Sequence, residues 1–187
     1  MPTIRRLLPL LALSAAAAAC GDSDNLPDPT EENLVDTVTV GSLTDTPIAT
    51  GSGFAVGSVL PIRVDQDPGF DFAYDIQGEP DTGTSVFLPR AALGIESGGT
   101  AEPGLMRRDE AFDDIEAAPS NGYVTEEAVP VALGERYIVR SRVTCSIGVP
   151  RYAKVEIIGL EDNSVILKVL ANENCGYRGL EPGLPDR

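Results

Sequence analysis

The chain is 187 residues long, with 29 acidic and 14 basic residues, no histidine, and a net charge of −15 at neutral pH. So acidic a surface repels phosphate backbones and excludes nucleic-acid binding. Without histidine there is no Ser-His-Asp triad and no histidine-based metal site. The length is that of one domain plus a tail.

In chain order, Arg5-Arg6, the apolar run Leu7–Leu13 and the small residues Ala15–Ala19 make a secretory signal, too short to span a bilayer as a mature helix. Its end, Ala17-Ala18-Ala19-Cys20-Gly21, resembles a bacterial lipobox, with Ala17 where leucine is usual. The resemblance implies lipidation of Cys20; the competing reading is an ordinary cleaved signal with a chance cysteine. The residues around Arg5-Arg6 match a twin-arginine signal poorly, so general secretion is expected. Cleavage before Cys20 leaves 168 residues with 29 acidic and 12 basic side chains, a net charge of −17. That charge disfavours anionic lipid, so the lipid anchor is the expected membrane contact.

Gly21–Asn33 is polar, acidic and proline-bearing, and reads as a flexible tether. The single domain is then 34–187. Leu34–Val40 alternates as a first strand. Gly51-Ser52-Gly53 is a turn, since neither a lysine nor a helix pattern follows to make a phosphate loop. Phe54–Val64 contains two short extended pieces. Asp65–Asp71 fails as a calcium loop, with its glycine at the fifth position and Ile76 in place of the glutamate, and reads as a turn.

Phe70, Phe72, Tyr74 and Ile76 fall on one face of an aromatic strand. Thr84–Ile95 is a further apolar piece broken at Pro89, and Gly98–Gly104 is a loop. Phe112 and Ile115 stand at helical spacing and predict a short helix within Met106–Ala118. Pro119–Gly122 is a turn, and Tyr123–Leu133 is extended. Tyr137–Ile147, Tyr152–Leu160 and Val165–Ala171 alternate with period two between polar or Pro/Gly breaks, which predicts an antiparallel meander. The expected class is all-β, mainly antiparallel sheet with at most one or two short helices.

With Cys20 taken by lipid, Cys145 and Cys175 remain as an even pair at one end of the meander, and in an exported chain such a pair reads as a disulfide. It closes a loop of about 31 residues, valued at roughly 3–4 kcal/mol by loop entropy. A two-thiolate metal site lacks further soft ligands.

The runs Phe70–Asp75 (FDFAYD), Ala118–Thr125 (APSNGYVT) and Tyr137–Lys154 resemble motifs of the HmuY-like lipoproteins of bacterial envelopes. Phe70 stands where that family carries tryptophan, and Asn172–Arg178 is an addition to its pattern. The resemblance implies an all-β domain and, in the best-known members, haem capture through histidine or methionine. Here Met106 is the one methionine after the signal. The alternative haem-binding reading therefore uses Met106 or a tyrosine such as Tyr123 on iron, with Arg107 and Arg108 pairing the propionates. Phe70, Phe72 and Tyr74 are the apolar candidates for a hydrophobic ligand.

Paired carboxylates, Asp71/Asp75 or Asp113/Asp114, are the remaining catalytic candidates. In a chain with 29 acids such pairs arise without function, so catalysis is not expected. The expected protein is a non-catalytic, lipid-anchored envelope lipoprotein that binds a hydrophobic ligand or another envelope protein. Gly21 rather than aspartate follows Cys20, and together with the resemblance this places it at the outer membrane. A closed apolar cavity would favour the small ligand, and a solid core with an exposed aromatic patch the protein partner.

Overall fold

A computed structural model describes residues 26–44, 46–47, 50–78 and 82–186. Cys20 and the lipobox lie outside the described residues. The described residues form two five-stranded sheets in which every ladder is antiparallel, so the all-β expectation holds.

The first sheet runs β1 (Val35–Gly41), β10 (Ser164–Asn172), β9 (Tyr152–Glu161), β8 (Arg136–Arg140) and β6 (Gly104–Arg108). The second runs β3 (Leu60–Ile62), β2 (Gly53–Ala55), β4 (Phe72–Gln77), β5 (Thr84–Pro89) and β7 (Val129–Pro130). The period-two pattern explains the packing, because alternate side chains point to opposite faces. Val38, Val40, Val139, Val155, Leu167 and Val169 of the first sheet meet Phe54, Phe72, Tyr74 and Phe87 of the second in one buried core. Phe87 bridges the sheets, 4.6 Å from the Phe72 ring and 5.7 Å from Tyr137. Rings tilted at these distances add to the area they bury.

Each outer face carries a smaller apolar layer. On the first sheet, Ile138, Tyr152 and Leu170 are covered by Phe112, Ile115, Ala118 and Leu180. On the second, Ala73, Val86 and Leu88 pack with Phe70, Leu43, Val64 and Ile95.

Four sequence expectations change. Gly104–Arg108 is a strand against β8, with Leu105 opposite Val139 in the core, and the helical spacing of Phe112 and Ile115 shrinks to the 3-10 turn Phe112–Asp114. The Tyr137–Ile147 run leaves the sheet after Arg140. There the Arg142 N–H goes to the Asp71 carboxylate at 2.8 Å, and the Ser141 N–H donates to Arg151 O at 2.9 Å, so residues 142–150 form a loop. Its turn at Gly148 (φ +77°) uses the left-handed conformation that glycine accepts. Phe70 precedes β4 and joins the outer layer rather than the face of Phe72 and Tyr74, because the chain bends at Asp71.

The fourth change concerns the tether. Residues 26–33 are fixed to the domain. Asn174 Oδ1 accepts the Thr30 and Glu31 N–H groups at 2.8 and 3.1 Å, and its Nδ2 donates to Glu31 O at 2.8 Å. The Tyr177 hydroxyl donates to Pro27 O at 2.9 Å, and Asn33 exchanges backbone bonds with Gly183. Composition gave no sign of this because Asn174 lies 144 positions from Thr30. The segment around Asn174, Tyr177 and Gly183 is thus the dock for residues 26–33. The Cys145–Cys175 disulfide is formed, with Cα atoms 5.9 Å apart, and ties the 142–150 loop to that dock.

Candidate functional site

The residues nominated from sequence separate into three places. Phe72 and Tyr74 are fully buried in the sandwich core, and Phe70 is buried beneath the guanidinium of Arg90, 5.3 Å from its ring. The interior they fill is occupied by packed rings.

Met106, Arg108 and Tyr123 share the outer face at the β6 edge. A Cβ on Gly122 would stand 2.8 Å from the Met106 methyl, and the Arg108 guanidinium touches the Met106 sulfur. Tyr123 lies under Arg140, whose guanidinium carbon is 4.6 Å from the ring centre, and 6.3 Å from the Tyr152 ring. Its hydroxyl donates to Pro119 O at 2.7 Å, and burial pushes its phenol above the ordinary range. The phenol is therefore held protonated. Arg107 departs from this group toward Glu135 at 2.9 Å, and Arg108 pairs with Glu110.

The positions that carry the family resemblance have packing roles in this arrangement. Tyr137 fills the core and donates to Glu135. Arg140 clamps Tyr123 and donates to Glu102 O at 3.0 and 2.8 Å. Lys154, 1% exposed, donates to Ile115 O at 3.0 Å and lies 4.7 Å from the centre of the Phe112 ring. Burial lowers its pKa.

The sequence reading missed a polar cleft of about 250 Å³ between the turn after β2, the 63–71 turn and the 141–151 loop. Asp71 forms its floor and is 2% exposed. Its Oδ2 accepts the Val56 N–H and its Oδ1 the Arg142 N–H, both at 2.8 Å. Burial lifts its carboxyl from an ordinary 3.8 to about 6, while the two N–H groups and the charges of Arg142 and Arg90 pull the other way. Asp71 is thus ionised at neutral pH and acts as the bond between the two sheets' loops. Arg90, behind it, donates to Pro68 O and Phe70 O and fixes the 68–70 turn.

Arg142 and Arg151 line the cleft with Ser58, Asp67, Ser141 and Thr144. Arg142 donates from Nε to Gly69 O at 2.9 Å, and Arg151 from Nε to Glu173 O and from Nη1 to Thr144 Oγ1. Arg151 also lines a second cleft of about 400 Å³ between residues 27–31 and the C-terminal dock. The available sequence signal was parity: in Phe70–Ile76, Asp71 falls opposite the aromatic face. Its partners, on a loop some seventy positions away, had no sequence marker.

The carboxylate pairs do not converge. Asp75 accepts from Ser42 Oγ at 2.9 Å and Thr44 Oγ1 at 2.7 Å, closing the β1–β4 seam, and Asp113 meets Lys168 at 3.4 Å. Among the described residues no group of three or more acidic or cysteine side chains is placed to hold a metal. The geometry defines an all-β, two-sheet domain with a polar surface cleft between loops of opposite sheets. No protein-family model, curated protein or solved structure matches the chain.

Proposed function

We propose that this protein is a non-catalytic, lipid-anchored lipoprotein of the bacterial envelope, HmuY-like in organisation and held at the outer membrane through Cys20, that binds its ligand at the domain surface. The observation that carries the surface reading is the filled interior: Phe54, Phe72, Tyr74, Phe87 and Tyr137 are packed ring on ring, so an enclosed hydrophobic ligand has no room there. The polar cleft at Asp71 and Arg142 is the concave feature beside it. Anchoring is tested by palmitate labelling: wild-type chain takes up label and Cys20→Ser does not. Binding is tested by native mass spectrometry of the protein purified from envelopes, where a retained small molecule is expected. An unlabelled wild-type chain ends the anchor reading, and a bare mass ends the binding reading.

A second reading, haem capture, is favoured by Met106 beside Gly122, the residue before Tyr123, with Arg108 against the Met106 sulfur and Arg140 over the Tyr123 ring. A saturable Soret shift with haemin, lost in Met106→Ala, supports it. A shift surviving that change but lost in Tyr123→Phe moves the iron to tyrosine, and no shift removes haem.

A further inference from the structure

We infer that the cleft between Gly57, Gly69 and the 141–151 loop is a site for a small organic anion, whose carboxylate or phosphate group is held by Arg142 and Arg151. This rests on the surface-binding reading and names the class of ligand.

In a chain of net charge −15 a cationic side chain has an abundance of carboxylates to pair with. Arg63, Arg107, Arg108, Arg136 and Lys168 do pair in this way. Six described cations form no ion pair: Arg90, Arg140 and Lys154 donate to main-chain carbonyls and lie against aromatic rings, Arg178 is exposed, and the remaining two are Arg142 and Arg151. Arg142 has one side-chain bond, from Nε, and both of its Nη groups are without a hydrogen-bond partner there. Arg151 likewise leaves Nη2 unbonded. Both guanidinium groups line the same cleft, and a guanidinium fork matches a carboxylate or phosphate in geometry as well as charge.

The backbone is shaped around these two groups. Neither Gly57 nor Gly69 has a positive φ, so conformation does not demand glycine at either position. A Cβ on Gly57 would stand 3.2 Å from Arg151 Nη1, and one on Gly69 would stand 2.6 Å from Asp67 Oδ1 and 2.9 Å from Arg142 Nη2, so a side chain at either position would push on these groups. Both arginines are half-buried, and their bonds to Gly69 O, Glu173 O and Thr144 Oγ1 hold them at the cleft wall.

Two carboxylates share the lining and restrict the ligand further. Asp71 has both oxygens engaged by backbone N–H groups, and Asp67 Oδ1 accepts the Gly69 N–H at 2.7 Å. The Asp67 side chain is exposed at the rim. A bare anion meets attraction from the arginines and repulsion from Asp67, whereas a molecule that adds a hydroxyl or ammonium donor to its acidic group meets complementary charge at both ends. At about 250 Å³ the cleft is below the roughly 300–1,000 Å³ of drug-sized pockets and fits a small metabolite or the head of a larger one.

The test is calorimetric titration of the full-length protein in detergent, at low salt and pH 7, with L-glutamate and with inorganic phosphate as probes. Saturable heat with glutamate assigns the carboxylate class, and saturable heat with phosphate assigns the phosphate class. In either case Arg142→Gln and Arg151→Gln each weaken binding at least tenfold, and Gly57→Ala weakens it by displacing Arg151 without loss of charge. Lys168→Gln leaves it unchanged, since Lys168 lies against Asp113 and Phe112 outside the cleft lining. Arg142→Lys keeps the charge but loses the fork, and its intermediate affinity guards against misfolding of the glutamine variant. Absence of saturable heat with both probes overturns the proposal, as does equal weakening by Lys168→Gln. If both probes fail while a small molecule is still retained from envelopes, the anion assignment falls and the binding reading stands. If nothing is retained, both fall.

Discussion

Arg140 and Arg142 are two residues apart at the end of β8 and have opposite circumstances. Arg140 donates twice to Glu102 O and covers the Tyr123 ring, so its guanidinium is consumed by holding the 119–124 segment on the sheet. Arg142 gives its backbone N–H to Asp71 and one side-chain bond to Gly69 O, and presents the remainder of its guanidinium to a cleft. Residue type and neighbourhood in sequence are the same; what differs is the number of donors left unsatisfied. A satisfied arginine is scaffold, and an unsatisfied one beside a concave polar surface marks a place where a ligand completes the bonding.

The largest expected effect comes from the disulfide that carries the Arg142 side of the comparison. Removing it with Cys145→Ser and Cys175→Ser together is expected to lower stability by roughly 3–4 kcal/mol, the loop-entropy value for a closure of this length. Hydrogen exchange should then speed up across residues 142–150 and 174–178 while the Arg140–Tyr123 region keeps its protection. Uniform acceleration would show that the two regions are one cooperative unit.

Asp71 sets the next test. Its folded carboxyl titrates at about 6 against an ordinary 3.8, so between these values the folded chain binds the proton that the unfolded chain releases. The contribution of this group is therefore most favourable below about pH 4 and is lost as pH rises through 6, a span of about 3 kcal/mol for a shift of about two units. Urea unfolding of wild type and Asp71→Asn at pH 4 and pH 7 isolates it: wild type should lose about that much relative to the variant. Parallel pH dependence in the two proteins would mean that Asp71 is not desolvated as the cleft floor requires.

The smallest effect separates the two arginines directly. Arg140→Gln should cost about 1–2 kcal/mol through the lost Tyr123 contact and the bonds to Glu102 O, with anion affinity unchanged. Arg142→Gln should show the reverse balance, with binding weakened and stability affected less. Equal effects of both substitutions on the two readouts would dissolve the distinction.

Much of the fold was legible along the chain. The long alternating runs of β9 and β10 needed only local pattern, because period two with β-branched residues presents one apolar face whatever covers it. β8 was legible to Arg140, where a tertiary bond from Arg142 N–H to Asp71 removes the chain from the ladder while the alternation continues to Ile147. Met106 and Tyr123 were nominated as alternative ligands; Met106 lies against Gly122 and the Arg108 guanidinium, and Tyr123 under Arg140. Arg107 was nominated with them and instead pairs with Glu135. The cleft was illegible, since Gly57, Asp71, Arg142 and Arg151 belong to three separated turns and none is unusual for its own segment.

The sequence by itself determined the all-β class, the meander, the pairing of Cys145 with Cys175 and the acidity of the surface. Each follows from local periodicity or from counting, and neither depends on which segment meets which. Tertiary structure alone decided that residues 26–33 dock on Asn174, that Phe70 turns away from Phe72, and that Arg142 rather than Arg140 faces a cleft. Those outcomes depend on hydrogen bonds between positions far apart in the chain, and an unpaired polar group costs enough on burial to override the local pattern wherever a distant partner is available.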